Sequence, residues 1–313
     1  AKGRPVSDVS IIIVSYNTRE YLARSLGVVA GGPHEVVVVD NASTDGSPAF
    51  VRERFPSVRL LELTENRGFG AGNNAGMEEA TGRWLLLLNS DAWPVGDAVE
   101  RLVAYGEAHA RAGIVGPRLR NPDGSLQRSV RGHPTLWRLA TEYLFLRRLA
   151  PRTRLLNAFY GAGFDHAQAR EVEVLKGAVL LVRREAAEAV GSFDPAFFMY
   201  GEEMDLCYRA RRAGWAVVFT PEAEFVHVGG VSTGARWGET PAFGPMFREQ
   251  LRSHMRFLAK HHGPVQAERA RRLLLASLRL RALLFRGERG RTYRQAAEWL
   301  ASADAGALLE SPG

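Results

Sequence analysis

The chain has 313 residues, 46% apolar and 24% charged, with a net charge of +7 and a single cysteine. That length holds one large or two modest domains, and the apolar share supports a sizeable core and excludes a mainly disordered chain. A lone cysteine, Cys207, excludes an intrachain disulfide and favours a reducing compartment. The opening residues, Ala1-Lys2-Gly3-Arg4-Pro5, lack the apolar run of a signal peptide. No stretch approaches the roughly 20 apolar residues of a membrane span, so a cytoplasmic protein is expected. The charge is uneven. Residues 236–313 carry 14 Lys+Arg against 7 Asp+Glu, whereas the first 235 residues carry 27 of each. A neutral body with a basic tail points to an anionic partner for the tail or to a solvated helical face.

In chain order, Val9 to Val14 is a β-branched apolar run and reads as a strand. Thr18 is a suitable N-cap for a helix over Arg19–Val29, which Gly31-Gly32-Pro33 breaks. Glu35–Asp40 is a second strand with an acid at its C-terminal end. A polar turn, Asn41 to Gly46, leads to a helix ending near Phe55. Val58–Leu63 is a third strand. A glycine-rich loop from Asn66 to Asn74 then opens a helix to Ala80. Arg83 to Ala92 contains four consecutive leucines, Leu85 to Leu88, and ends in Asn89-Ser90-Asp91. Such a run suits a strand covered on both faces. A helix from about Gly96 to His109 and a strand at Ile114-Val115 follow. Strands alternating with helices at this spacing imply a three-layer α/β/α fold with a mostly parallel sheet.

From Asn121 to Glu171 the pattern is irregular, with a helix expected over Leu136–Leu149. Glu173–Val182 reads as one strand, Arg184–Val190 as a helix, and Glu202 onward as a helix ending at Gly214. Val217–Phe219 and Glu224–Val228 read as two short strands. The remainder is helical, in segments broken at Gly263-Pro264 and Gly287 to Gly290. A division into a nucleotide-sugar domain over 1–235 and a basic helical extension over 236–313 is expected.

Polar groups recur at the C-terminal ends of three strands: Ser15 and Asn17, Asp40, and Asn89 with Asp91. Ligands of open α/β sheets bind along that edge, so the convergence points to a nucleotide-diphosphate site. A carboxylate such as Asp91 can hold a divalent metal there. Gly70-Ala71-Gly72-Asn73-Asn74-Ala75 also fits a dinucleotide fingerprint, but it follows the third strand rather than the first. A helix N-terminus open to a ligand, or tight helix–sheet packing, are its other readings. Glu202, Glu203 and Asp205 crowd one helix start beside apolar Phe197 to Tyr200. Such crowding raises a carboxyl pKa and suits a general base, while Asp205 is also placed to pair with Arg209. His227 lies on a strand between two valines, as a core residue or a ligand.

Taken together, these motifs resemble the family-2 inverting glycosyltransferases of GT-A fold. The resemblance covers about residues 9–235. It rests on Val14 to Asn17, Val38 to Gly46, Asn66 to Asn74, Asn89-Ser90-Asp91 and Phe198 to Cys207. Within the family the set is most similar to bacterial rhamnosyltransferases using dTDP-L-rhamnose in polysaccharide synthesis. Galactofuranosyl- and hexosaminyltransferases using UDP-sugars share most of it. The resemblance implies that Ser15, Tyr16, Asn17, Asp40, Asn66, Gly68, Asn73, Asn89 and Ser90 line the nucleotide site. It implies that Asp91, with His227, binds Mg²⁺ or Mn²⁺, and that Glu203, or else Glu202 or Asp205, is the base. Asn89 stands where the family's metal motif has its first Asp, and Glu203 where its acid pair usually ends in Asp. A saccharide or polyprenyl-linked acceptor is implied as partner, and nucleic acid is not. A nicotinamide-dependent oxidoreductase and a non-catalytic nucleotide binder are the readings from other classes. In the tail, Arg269, Arg271, Arg272, Arg279, Arg281 and Arg286 punctuate a leucine pattern. That is a basic amphipathic helix able to lie on the inner, anionic membrane face, or one that packs on the catalytic domain or forms a homodimer.

Overall fold

The computed structural model describes residues 8–146, 149, 153–157, 159, 164–230 and 243–303. The first half alternates as the apolar periodicity requires: β1 (Val9–Ser15), α1 (Arg19–Val29), β2 (Glu35–Asp40), α2 (Ser47–Arg54), β3 (Arg59–Glu62), α3 (Gly68–Glu79) and β4 (Trp84–Asn89). A short β5 (Ala92–Pro94) and α4 (Ala98–Ala108) come next, followed by the long β6 (Ala112–Arg120). The irregular region contains β7 (Leu126–Gln127), β8 (Val130–Arg131), α5 (Leu136–Tyr143), α6 (Arg154–Asn157) and β9 (Arg170–Glu171). Then follow β10 (Val174–Leu175), β11 (Val179–Arg183), α7 (Arg184–Val190), α8 (Glu202–Arg212) and β12 (Ala216–His227). Three helices close the described chain: α9 (Pro245–His262), α10 (Pro264–Leu284) and α11 (Gly287–Ser302).

The main sheet runs β3-β2-β1-β4-β11-β6-β12-β5. β3, β2, β1 and β4 are mutually parallel, whereas β11 is antiparallel to both its neighbours. This is the mostly parallel α/β architecture read from the sequence. Alternate residues of β1 serve opposite layers, as the two-residue period of a strand demands. Ile11 and Ile13 join Leu22 and Leu26 of α1 and Leu102 of α4 in one apolar cluster. Ile12 meets α3 at Gly76, and Val14 meets it at Gly72, where an added Cβ would lie 2.8 Å from Val14 Cγ1. Gly72 of the apparent dinucleotide fingerprint, with Gly76 one turn on, thus lets α3 pack tightly on the sheet.

Four local readings differ. The helix expected from about Gly96 starts at Ala98, behind the short strand β5. The expected strand over Glu173–Val182 is interrupted by a turn at Gly177-Ala178, giving β10 and β11. The two short strands after Trp215 are one, β12, with a register shift between Thr220 and Glu224. Pro221 lies in that shift, as expected for a residue without an N–H to donate. The helix expected over Leu136–Leu149 ends at Tyr143, and part of its expected C-terminal stretch lies outside the described residues.

Two compact units are distinguishable. One comprises Ala1–Val130, Asp165–Asp194 and Glu203–Trp237, and contains the main sheet. The other comprises Arg131–Phe164, Pro195–Glu202 and Gly238–Gly313. In the second, Leu251, Met255, Leu274, Leu278, Ala296, Ala297 and Leu300 join α9, α10 and α11 in one core. Among the described residues, no helix is long and apolar enough to cross a membrane.

Candidate active site

Register brings the polar strand ends together. Ser15 pairs with Asp40, and Val14 with Asn89, across adjacent parallel strands. The loops beyond them are tied by side chains. Asn17 adopts a left-handed backbone (φ 52°), a conformation Asn tolerates better than most residues. Its Oδ1 accepts the Thr44 N–H at 2.7 Å, and its own N–H donates to Ser43 Oγ at 2.9 Å. Ser15, Thr18 and Ser90 form a buried chain of hydroxyls, 2.9 and 2.8 Å apart, joining the loops after β1 and β4. Thr18 therefore caps no N–H of α1 with its side chain, contrary to the sequence expectation. Tyr16 lies between these ties and is half-buried.

Asp40 is buried at 2% exposure. Its Oδ2 accepts the Ser43 N–H at 2.8 Å, and its Oδ1 has no hydrogen-bond partner among the described residues. A buried carboxylate oxygen in that state is costly unless a ligand donor meets it. Asn41, which sequence reasoning placed only in a turn, organises the next loop. Its Nδ2 donates to Asn66 Oδ1 (2.8 Å) and Gly68 O (3.1 Å), and its Oδ1 accepts the Arg67 N–H (3.0 Å). Asn66 also accepts the Gly68 N–H at 3.0 Å. Asn73 is only 1% exposed, with its Nδ2 bonded to Phe69 O at 2.9 Å within α3.

The second cluster forms where β12 pairs with β5. His227 is opposite Ala92, and the Val228 N–H donates to Asp91 O at 3.0 Å. The Gly229 N–H donates to Asp91 Oδ2 at 2.8 Å, which leaves Oδ1 facing His227 Nε2 at 3.4 Å. Asn89 Nδ2 lies 3.3 Å from the same nitrogen.

The tautomer of His227 follows from Gln127 on β7. Gln127 Nε2 donates to Asn121 Oδ1 (2.7 Å) and to His227 O (3.0 Å). Its Oε1 is therefore the atom 2.6 Å from His227 Nδ1, and the shared hydrogen belongs to Nδ1. Lys176 Nζ donates to the same Oε1 at 2.9 Å. Burial, reinforced by the Lys176 charge and opposed by Asp91, holds the ring below the ordinary imidazole range. With the hydrogen on Nδ1, the neutral ring turns its Nε2 lone pair toward Asp91 Oδ1 and the Asn89 amide. A divalent cation satisfies Nε2 and Oδ1 at once, so the donor set fits a metal of the Mg²⁺ or Mn²⁺ class. Among the described residues, no group of three or more His, Cys, Asp or Glu side chains gathers around a common point.

The acidic helix start resolves into distinct environments. Glu202 is the first residue of α8, and its Oε2 accepts the Gly201 N–H at 2.8 Å. Asp205 is fully buried and pairs with Arg209 at 2.7 Å, the helical pairing read from the spacing. That guanidinium also donates to Ser192 O at 2.6 Å and to Val190 O, which anchors the end of α7 to α8. Glu203 is 5% exposed and lies beside the turn after Lys176, its Cβ 3.6 Å from where Gly177 would carry one. Glu203 and the Lys176–His227 contact therefore share one turn. The Cys207 thiol is pushed up to about 12, chiefly by burial, and takes no part as a thiolate at neutral pH.

Gln127 and Lys176 were not among the residues selected from sequence. Gln127 carries no signal of its own. Lys176 carries a faint one, as a lone cation within the apolar run Val174 to Leu181.

Comparison with known proteins identifies the family. Residues 10–175 match Glycosyl transferase family 2, and residues 127–286 match Glycosyl transferase family group 2. An N-acetylglucosaminyl-diphospho-decaprenol L-rhamnosyltransferase of Mycobacterium tuberculosis is 36% identical over 239 residues, spanning 72% of this chain and 77% of the relative. Among solved structures, a mannosyltransferase of Pyrobaculum calidifontis in complex with GDP-Man and Mn²⁺ superposes with a TM-score of 0.51 at 20% identity. That match covers 97% of this chain and 79% of the other. GalNAc-T7 with UDP, GalNAc and Mn²⁺ gives a TM-score of 0.55 at 16% identity, over 82% of this chain and about half (51%) of that one. The strand-end polar edge, the sheet order and the extent of the sequence match lead to one assignment: the chain belongs to glycosyl transferase family 2 and is a glycosyltransferase of GT-A fold.

Proposed function

We propose that the protein is an inverting rhamnosyltransferase that carries L-rhamnose from dTDP-rhamnose to a sugar hydroxyl on a diphospho-lipid acceptor, in cell-surface polysaccharide synthesis. The facing lone pairs of Asp91 Oδ1 and His227 Nε2, on the same sheet edge as Asp40, carry the reaction class. The sugar and the acceptor rest on the 36% identity to the mycobacterial rhamnosyltransferase. A galactofuranosyl- or hexosaminyltransferase using a UDP-sugar is the neighbouring reading within the family.

Asp91 and His227 would hold Mg²⁺ or Mn²⁺, which when bound neutralises charge on the leaving diphosphate. Asp40 Oδ1 is the buried acceptor for a nucleotide donor group. Ser15, Tyr16, Asn17, Asn66, Gly68, Asn89 and Ser90 set the loops around it, and Asn73 fixes the helix behind. Glu203 takes the proton of the acceptor hydroxyl, for which it must come within about 2.6–3.2 Å of that oxygen. The oxygen then bonds to the anomeric carbon from the face opposite the diphosphate. The old C–O bond breaks with its electron pair leaving on the diphosphate, and the configuration inverts. Glu202 and Asp205 are the other choices for base; Gly201 and Arg209 engage their carboxylates.

A calorimetric and thermal-shift screen of dTDP, UDP and GDP, with and without Mn²⁺, tests this reading. The expected result is binding of dTDP at roughly −4 to −8 kcal/mol, weakened by Asp40→Ala. Binding of GDP alone, or of no nucleotide, contradicts it.

A further inference from the structure

The apolar residues of α10 divide between two destinations. Leu274 and Leu278 are fully buried in the core shared with α9 and α11. Leu280, Leu283 and Leu284, at the helix's C-terminal end, are 41%, 83% and 62% exposed. Arg279 and Arg286 are exposed beside them, as is Arg291 on α11. Between residues 279 and 291 the sequence has five arginines and a single acid, Glu288.

This corner is also stiff. Phe285, the residue between the leucines and α11, packs against Tyr293 (5.6 Å between centroids) and Phe145 (5.7 Å). Arg281 lies 4.2 Å over the Phe145 ring and donates to Tyr143 O (2.8 Å) and Glu142 O (2.9 Å). The exposed leucines are thus held outward on an ordered support, and little entropy remains to be lost when they are buried.

We propose that this α10–α11 corner docks on an anionic lipid bilayer, with Leu280, Leu283 and Leu284 inserted at the acyl boundary and the arginines at lipid phosphates. Clustered leucines alone fit any apolar cover. The excess of arginine selects a negatively charged one, and a bilayer offers both together. The inference deepens the proposed function, since a diphospho-lipid acceptor is reached at a membrane surface, but the docking stands or falls separately.

The test is flotation of the full chain with phosphatidylcholine vesicles, with and without phosphatidylglycerol, alongside turnover on a water-soluble acceptor analogue. The wild type should float with phosphatidylglycerol vesicles, less at high salt, and not with phosphatidylcholine alone. Leu280→Gln/Leu283→Gln/Leu284→Gln should weaken partitioning on the order of 100-fold, and Arg279→Gln/Arg286→Gln/Arg291→Gln by a similar factor. Both variants should keep wild-type turnover on the soluble acceptor, because none of the six residues belongs to the site. Docking is overturned if the wild type fails to float, or if the leucine variant floats as well as the wild type. It is equally overturned if the leucines instead hold a dimer, seen as a dimer-to-monomer change in the leucine variant without flotation of the wild type. Flotation by a protein that transfers no sugar would support docking and sink the proposed function.

Discussion

Gln127 Oε1 lies 2.6 Å from His227 Nδ1 and thereby fixes which ring nitrogen carries the proton. Because the Gln127 amide is committed at its other end to Asn121 and to His227 O, the ring cannot turn its lone pair away from Asp91 without losing these bonds. A two-residue strand far from the sheet's polar edge in sequence therefore decides the chemistry at that edge.

Gln127→Ala should weaken Mn²⁺ binding about 10–100-fold, the usual effect of removing an outer partner of a ligating histidine. Gln127→Glu, which still accepts from Nδ1, should retain more affinity. Titration of Mn²⁺ followed by electron paramagnetic resonance checks both. Equal affinity in all three proteins removes Gln127 from this role.

Asp91→Asn keeps an oxygen for the Gly229 N–H but loses the charge that faces His227. The variant should bind Mn²⁺ more weakly and lose most turnover, with melting behaviour near that of the wild type, because the residue lies in the turn between β4 and β5, outside the apolar core. Full wild-type activity in excess chelator would take Asp91 and His227 out of a metal role.

Glu203→Gln should lower turnover by about 10²–10⁴-fold, the span of a positioned base, with donor affinity unchanged. Asp205→Asn should act on stability instead, since it loosens the half-buried Arg209 that ties α8 to the end of α7. Paired kinetics and thermal melts separate the two. A catalytically dead but stable Asp205→Asn beside an active Glu203→Gln reverses the assignment.

His254 supplies a pH dependence away from the site. Its ring lies edge-on to Tyr143 and Phe159, and burial, with the charge of Arg131 acting the same way, holds it down to about 4. The unfolded chain, with an ordinary imidazole near 6.5, binds more protons than the folded one between those two values. Stability contributed by the neutral ring is thus complete above pH 6.5 and lost as pH falls toward 4, on the order of 3 kcal/mol in all. Denaturant melts from pH 7.5 to 4 should show that loss, and His254→Phe should flatten the slope. An unchanged slope in the variant places the acid sensitivity elsewhere.

The regular elements were legible because their signals are local. Arg19–Val29, Glu35–Asp40 and Arg184–Val190 have the bounds that periodicity and breakers imply. The short strand β5 and the break at Gly177-Ala178 were not, since both depend on pairing with strands distant in sequence. The site shows the same division. Asp40, Asp91 and His227 stand out as polar residues near strand ends; the family resemblance joined Asp91 to His227, and the pairing of β12 with β5 is the physical reason they meet. Gln127 was invisible because a glutamine in an irregular stretch carries no pattern. The three acids at α8 were legible as a group, and their division among Gly201, Arg209 and the Gly177 turn came only from packing.

Inverting transfer of a sugar from a nucleotide-diphosphate donor is the reaction proposed for this site. The most direct measurement is nuclear magnetic resonance of the glycoside formed from dTDP-rhamnose and an N-acetylglucosaminyl-diphospho-lipid acceptor, with Mn²⁺ present. One new rhamnosyl linkage of anomeric configuration opposite to the donor's is expected, with dTDP released in equal amount. A retained configuration would contradict inversion, and release of sugar to water alone, or no turnover of any dTDP- or UDP-sugar, would contradict the transferase reading itself.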